Sequence, residues 1–566
     1  MKKENIQIKI NKILEKGKLI YQNWNNEKNI KININNSIDI ENNIDYFKNI
    51  KENLKNFHSI DYDISFCEGD NDKEKIITKI NTFGYIYINK KAVNSMENKE
   101  ILNTKNPSPN IKLDNKIKNA ELNNTYDIII LGTGLKECIL ASLFYNYKKE
   151  NIKIFQLDNN NYFGSYTTSL NLSNLWKYFK RKEKYQKQYG ENIEWNVDLI
   201  PKFVIANGTL VKILLKTNAY KYLEWKILDS MYICNEDKGN MFSKKKLRYN
   251  KMPTTASEAL KSDAIGLLQK NRCKNFLKSI RNFETNKSDY EINKIKDIIN
   301  KFHLEPIAIY FIGHALALYT NDDFLEEKTI NIANKINLYI DSFDMYGKTS
   351  FIYPIWGLGR LSEAFMRIYS LNENNYIVNQ DIEEILYDEN GNFKGIISKG
   401  KYIYGKILIS EPSYINKWNK VKSIGKVIRR ICILNHPISE INKYNDSINS
   451  YQIIYPGKLI NKKNDILISI LNHEYYVCKK GYYLAIISTI VEKKDANQDI
   501  SPVMEIISPV LDYFDQICDI FVPLDKSLNK KNIYITSSLD DKFNFEDDMK
   551  DVIFIYEAIT GTKINL

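Results

Sequence analysis

Cysteine is sparse in this sequence, seven among 566 residues with no CxxC pair, which excludes a disulfide framework. Histidine is scarcer. The five (His58, His303, His314, His436 and His473) never stand at metal-ligand spacing from one another or from a cysteine, so no metal is expected. Long hydrophobic runs are missing too. The longest, Ile307 to Tyr319, is interrupted by Gly313 and His314 and is too short to cross a bilayer. The opening Met1-Lys2-Lys3-Glu4 has no apolar signal core, and Lys563 to Leu566 offer no cysteine for prenylation. There is no GxSxG elbow, Walker loop or HExxH pair, which removes the common hydrolase signatures. These absences leave a soluble, globular protein of a reducing compartment, expected in the cytoplasm.

The residues present fit that class. Hydrophobic residues make up 43% and charged residues 27%, enough to bury a sizeable core. The formal charge of +12 is spread thinly. Its local runs, Lys180-Arg181-Lys182 and Lys244-Lys245-Lys246, read as solvated faces, or as transient contacts with anionic lipid or an acidic partner. No zinc-finger, RNA-recognition or helix-turn-helix signature accompanies them, so nucleic acid is not an expected partner.

Residues 1–125 differ in kind. Asparagine fills 26 of these positions and glycine only three. The segment reads as a low-complexity, largely disordered extension ending in the linker Asn106-Pro107-Ser108-Pro109-Asn110. Short apolar patches such as Phe83 to Ile88 are candidates to order on a partner. At Tyr126 the character changes. Tyr126-Asp127-Ile128-Ile129-Ile130-Leu131 is the continuous apolar run of a buried parallel strand. Gly132-Thr133-Gly134 follows, then a helix-like stretch to Tyr147, then a second buried strand from Ile152 to Asp158. Residues 210–320 read as helical, and strand-like segments return from Tyr376 onward. The fold class expected is α+β: a large FAD/NAD(P)-binding-like, Rossmann-type domain with a mixed sheet (126–209 and 321–566) and a smaller all-helical domain (210–320).

A dinucleotide turn needs small residues where backbone and pyrophosphate meet. Gly132 and Gly134 are present, but the third position is Glu137. A carboxylate in the first helical turn suits the helix dipole, yet it puts negative charge where a pyrophosphate requires positive potential. Asp158, closing the second strand, stands where a ribose hydroxyl is usually held. The four residues read as a vestigial dinucleotide turn, and no cofactor is expected. His314, in an apolar helix, and Cys138, behind Glu137, read as core.

The run Asp127 to Leu135, with Glu137-Cys138-Ile139-Leu140, resembles the first unit of Rab GDP-dissociation inhibitors and the related Rab escort proteins. Further strings agree: Trp195 to Phe203, Gly313 to Tyr319, Tyr353-Pro354 with Gly357-Leu358-Gly359, Val427-Ile428-Arg429 and Ile431 to Leu434. The resemblance covers Tyr126 to about Thr562. It implies no catalysis. Such proteins bind prenylated, GDP-bound Rab GTPases, slow GDP release, extract them from membranes and shelter the geranylgeranyl lipid in a helical domain. A monomer cycling between cytosol and membrane surfaces is implied. The escort role and, from a different class, an FAD-dependent oxidoreductase are the alternatives.

Carried over by position, the Rab-binding platform comprises Phe163, Arg360, Glu363, Arg367, Asn375 and Ile377. Only Arg367 keeps the usual residue; tyrosine, glutamate, glutamine, threonine and methionine are usual at the other five. A mobile loop, about Ser342 to Pro354, centres on Met345, Tyr346, Gly347 and Lys348, with Met345 replacing a usual arginine. Apolar positions in the helical block nominate Ile213, Leu214, Leu267, Leu268, Phe276 and Ile312 as lining the isoprenoid pocket.

Overall fold

The computed structural model describes residues 125–148, 151–236, 247–253, 266–282, 287–370, 375–442, 450–525, 529 and 531–566, with the backbone of 31–34, 76–80 and 86–89. The chain divides into two units, Met1–Asp114 and Asn115–Leu566. In the first unit, strands Lys31–Ile34, Ile76–Ile80 and Ile86–Asn89 pair as an antiparallel sheet in that order. The Asn-rich text around Ile34 thus forms a strand where its composition indicated none. The rest of the proposed disordered extension and its linker lie outside the described residues.

Two seven-stranded sheets organise the second unit. The first runs Asn375–Ile377, Ile154–Leu157, Thr125–Leu131, Lys401–Ser410, Phe393–Ser398, Glu384–Tyr387, with Ile533–Ile535 also paired to Lys401–Ser410. Its first four strands are parallel and its hairpin edge is antiparallel. Ile128 to Leu131 are buried, as their unbroken apolar run requires in a strand covered on both faces. The second sheet runs Leu247–Lys251, Ser230–Glu236, Tyr451–Tyr455, Ile466–Asn472, Tyr483–Ile490, Val421–Leu434, Asp512–Pro523. It is antiparallel except where Ser230–Glu236 meets Tyr451–Tyr455. One continuous core joins the two sheets through Ile128, Ile130, Phe144, Ile431, Ile486 and Phe514.

Five helices frame the sites: α1 (Leu135–Tyr147), α2 (Leu267–Arg281), α3 (Thr329–Tyr346), α4 (Gly359–Tyr369) and α5 (Glu546–Thr560). Helix α1 is buried along nearly its whole length, including Cys138. Ser142 on α1 donates to the Phe365 carbonyl of α4 at 2.7 Å. Helices α2 and α3, with the turns between them, enclose a separate core of Phe276, Ile280, Ile299, Ile312, Phe324, Ile332 and Ile336. The α+β class stands, with its Rossmann-type sheet and helical lobe.

The lobe's boundaries differ from those expected. Helix Thr209–Thr217 packs Leu210, Ile213 and Leu214 into the large core, and Ser230–Glu236 and Leu247–Lys251 are strands of the second sheet. The helical lobe therefore occupies Leu267 to Tyr346 rather than 210–320. The strand Ser230–Glu236 is a short apolar run, which periodicity alone does not separate from helix. Residues 254–265 of the stretch expected to be helical lie outside the described residues.

Candidate functional site

The glycine turn is present and closed. Gly132 takes φ +106°, and a Cβ there would come within 2.9 Å of the Glu411 carboxylate. A Cβ on Gly134 would meet the Glu137 carboxylate at 2.6 Å. The space beside both glycines, where a pyrophosphate would lie, is filled by the protein's own carboxyl groups. Glu137 is buried and accepts from Thr536 Oγ1 at 2.7 Å; burial raises its pKa. Glu411 is pushed up to about 8, by burial first and then by Glu137 and Asp158. Ser165 Oγ donates to it at 2.9 Å.

Asp158 is likewise committed. It accepts from Thr133 N at 2.8 Å, Asn160 N at 2.8 Å, Asn160 Nδ2 at 2.9 Å and Tyr414 OH at 2.8 Å. Its oxygens brace the turn and leave little capacity for a ribose. Lys136, the nearest cation in sequence, faces away to Asp551 at 3.1 Å and Asp548 at 3.6 Å on α5. Three carboxyl groups, with no facing cation among the described residues, do not fit a dinucleotide phosphate. The donor set that a flavin would need is replaced by acceptors.

A second surface lies beyond α4. Its inward positions Leu361, Phe365 and Tyr369 are buried, which turns Arg360, Glu363 and Arg367 outward at helical spacing. Arg360 donates to Glu363 at 2.7 Å. Arg367 lies 5.5 Å from the centre of the Tyr222 ring. Phe163 meets Tyr376 edge-to-face at 5.6 Å, and Tyr376 is close enough to Glu363 for that carboxylate to act on its hydroxyl. Four of the six nominated platform residues thus share one surface. Ile377 does not join them: it packs against the core on the opposite face of its edge strand. Asn375 is placed by its backbone, paired with Phe155. Sequence reasoning missed Tyr222 and Tyr376, whose signal was only an aromatic ring near a strand or helix end.

The expected mobile loop is mostly regular structure. Helix α3 runs through Met345 and Tyr346, Gly347 caps it at φ +65°, and Phe351–Pro354 is a strand paired with Val204–Ile205 and Trp225–Ile227. Lys348 bridges to Asp229 at 2.5 Å. Met345 and Tyr346 are exposed.

The six nominated pocket residues do not line one cavity. Ile213 and Leu214 belong to the large core, Phe276 and Ile312 to the helical core. Leu267 and Leu268 are 75% and 65% exposed on the first turn of α2, where the helix face turns to solvent. A cavity of about 140 Å³ beside the lobe is polar, lined by Tyr310, His314, Asp322, Lys458 and Asp465 among others.

A Rossmann-type scaffold whose glycine turn is filled by carboxyl side chains thus carries charged and aromatic side chains outside α4. Comparison with known proteins gives its family. The GDI family, GDP dissociation inhibitor, matches residues 122–566. Rab GDP dissociation inhibitor beta of Rattus norvegicus is 37% identical over 451 residues, 78% of this chain and 97% of the relative. A probable secretory pathway GDP dissociation inhibitor 1 of Schizosaccharomyces pombe is 37% identical over 451 residues, covering 79% and 98%. The crystal structure of a Rab GDI from Plasmodium falciparum superposes with a TM-score of 0.72 at 39% identity, covering 78% of this chain and 100% of that one. The chain belongs to the GDP dissociation inhibitor family.

Proposed function

We propose that this protein binds prenylated, GDP-bound Rab GTPases, slows their GDP release, lifts them from membranes and recycles them in vesicle transport. The family match over residues 122–566 carries the reading. The plugged turn supports it, because a scaffold that cannot seat a dinucleotide is left with protein binding as its use. The protein is then a regulator rather than an enzyme. Arg360, Glu363, Arg367 and Phe163 are the platform for the GTPase.

Lipid shelter follows from solubility. Each buried methylene is worth about 0.8 kcal/mol, so a twenty-carbon isoprenoid holds a membrane by something on the order of 10–15 kcal/mol. A carrier must return most of this with apolar surface of its own. The helical lobe is where we place that surface, with Phe276 and Ile312 in its apolar core. No helix among the described residues is long and apolar enough to cross a membrane, as cycling between cytosol and membrane surfaces requires.

The test is membrane extraction. Vesicles carrying prenylated Rab loaded with GDP or GTP are incubated with the protein and sedimented. GDP-Rab is expected in the supernatant and GTP-Rab in the pellet; retention of both on vesicles refutes the function.

A further inference from the structure

Trp356 and Tyr476 stack face to face at the surface, ring centres 4.3 Å apart and planes 29° apart. Trp356 takes φ +76° and Tyr476 φ +55°, the left-handed region that bulky side chains rarely adopt. Tyr476 is 49% exposed, so its ring is not held there by a core. Such strain persists only where the surroundings over-determine it, and here they do. Asp198 is buried and accepts from Leu358 N at 2.9 Å and Ser169 Oγ at 2.5 Å, with Tyr353 OH as a third donor. Trp356 N donates to the Tyr475 carbonyl at 3.1 Å and Ile355 N to the Glu224 carbonyl at 2.8 Å. Gly357, at φ +93°, leaves no room for a side chain beside Ser169. Two loops, one leading into α4 and one following Ile466–Asn472, are clamped so that two aromatic rings face outward together.

Large aromatics on a rigid backbone are the side chains that dominate protein interfaces, because they offer contact area at low entropic cost. The turn carrying Trp356 leads directly into α4, where Arg360 and Glu363 stand, so the pair lies at the amino-terminal end of the helix that carries the charges. We infer that the Trp356–Tyr476 stack is a further contact surface for the GTPase, an aromatic anchor beside the charged residues of α4. The inference rests on the function proposed above. The occupant is a folded GTPase face offering an apolar side chain to the rings, with polar groups at their rim.

Glycine variants separate contact from scaffold. Trp356→Gly and Tyr476→Gly each remove a ring while relieving an unfavourable backbone, so neither is expected to lower the melting temperature. Binding of GDP-loaded, prenylated Rab is titrated by fluorescence for the full chain and each variant, with Trp356→Phe as the conservative control. A loss of affinity of tenfold or more in both glycine variants, with retention in Trp356→Phe, is expected. Unchanged affinity in either glycine variant overturns the inference while leaving the proposed function intact; failure of the unaltered chain to bind any GDP-Rab refutes the function instead. Rab-free vesicles containing one-fifth phosphatidylserine are the control for a membrane contact. Loss of vesicle binding with unchanged Rab affinity also overturns the inference.

Discussion

His314 Nδ1 lies 2.5 Å from Asp465 Oδ2, joining the helical lobe to the second sheet. The other ring nitrogen meets Asp322 Oδ1 at 3.0 Å. Tyr310 stacks on the imidazole at 3.9 Å and donates to Asp465 at 2.8 Å. Lys458 faces this group, 4.2 Å from the Tyr310 ring centre, and Lys462 and Lys463 line the same cavity. A π-helical turn, Phe311–Leu316, carries the histidine. Burial opposes charge on His314, but hydrogen bonds to Asp322 and Asp465 and their fields outweigh it, so its pKa lies above 6.5. A raised folded pKa contributes stability that is complete below the unfolded value and lost as pH rises through the folded one. The helical lobe is therefore expected to loosen on alkalinisation above about pH 6.5. Hydrogen exchange of α2 and α3 between pH 6 and 9 measures this, and Asp465→Asn, which removes the buried acceptor, should cost about 3 kcal/mol or more. A pH-independent exchange rate, after correction for intrinsic chemistry, refutes it.

Asp198 contributes with the same sign, over a lower pH range. Burial pushes its carboxyl up to about 7 from 3.8, although three donors oppose the shift. The folded state then binds the proton more tightly between those values, so stability falls as pH rises from about 4 to 7 and levels off above. The slope reaches at most about 1.4 kcal/mol per pH unit. Asp198→Asn should flatten this dependence in urea melts at pH 4, 5.5 and 7.

The platform charges are expected to act on binding and hardly on folding. Arg360 and Glu363 are partly exposed and one turn apart, and such pairs contribute about 0.5 kcal/mol or less to stability. Arg360→Ala should leave the melting temperature within about 1 °C and weaken capture of GDP-Rab about tenfold. An equal loss of stability and binding would assign Arg360 a purely structural role.

Lys202 sits 1% exposed between Asp548, at 3.1 Å, and Asp540, and also donates to the Asn544 carbonyl at 2.8 Å. Lys202→Met leaves two carboxylates without their shared cation, which should destabilise by about 3–5 kcal/mol. A double replacement that also changes Asp548 to Asn should recover part of that loss in denaturant titrations.

Much of the first sheet was legible in the sequence, because Ile128 to Leu131 is an apolar run closed by a glycine turn and strand-like segments return from Tyr376. The damaged turn was legible too, through Glu137 at a position that wants a small residue. The second carboxylate at that turn was not: Glu411 lies 274 positions beyond Glu137, and only the parallel pairing of Lys401–Ser410 with Thr125–Leu131 brings it there. The nominated pocket residues fall in different cores for a related reason. Ile213 and Leu268 carry the same apolar signal, and which core a helix faces is decided by tertiary packing that no local period encodes. Trp356 passed unnoticed because a bulky aromatic is not a residue that signals a left-handed backbone.

The counter-ions of Lys136 and Lys202 are supplied by residues 540–551, and the strand Ile533–Ile535 completes the layer that Thr125–Leu131 begins. During synthesis the ribosome must therefore pass residue 551 before these lysines can be neutralised inside the fold. Until then the nascent amino-terminal half carries two ammonium groups that oppose burial.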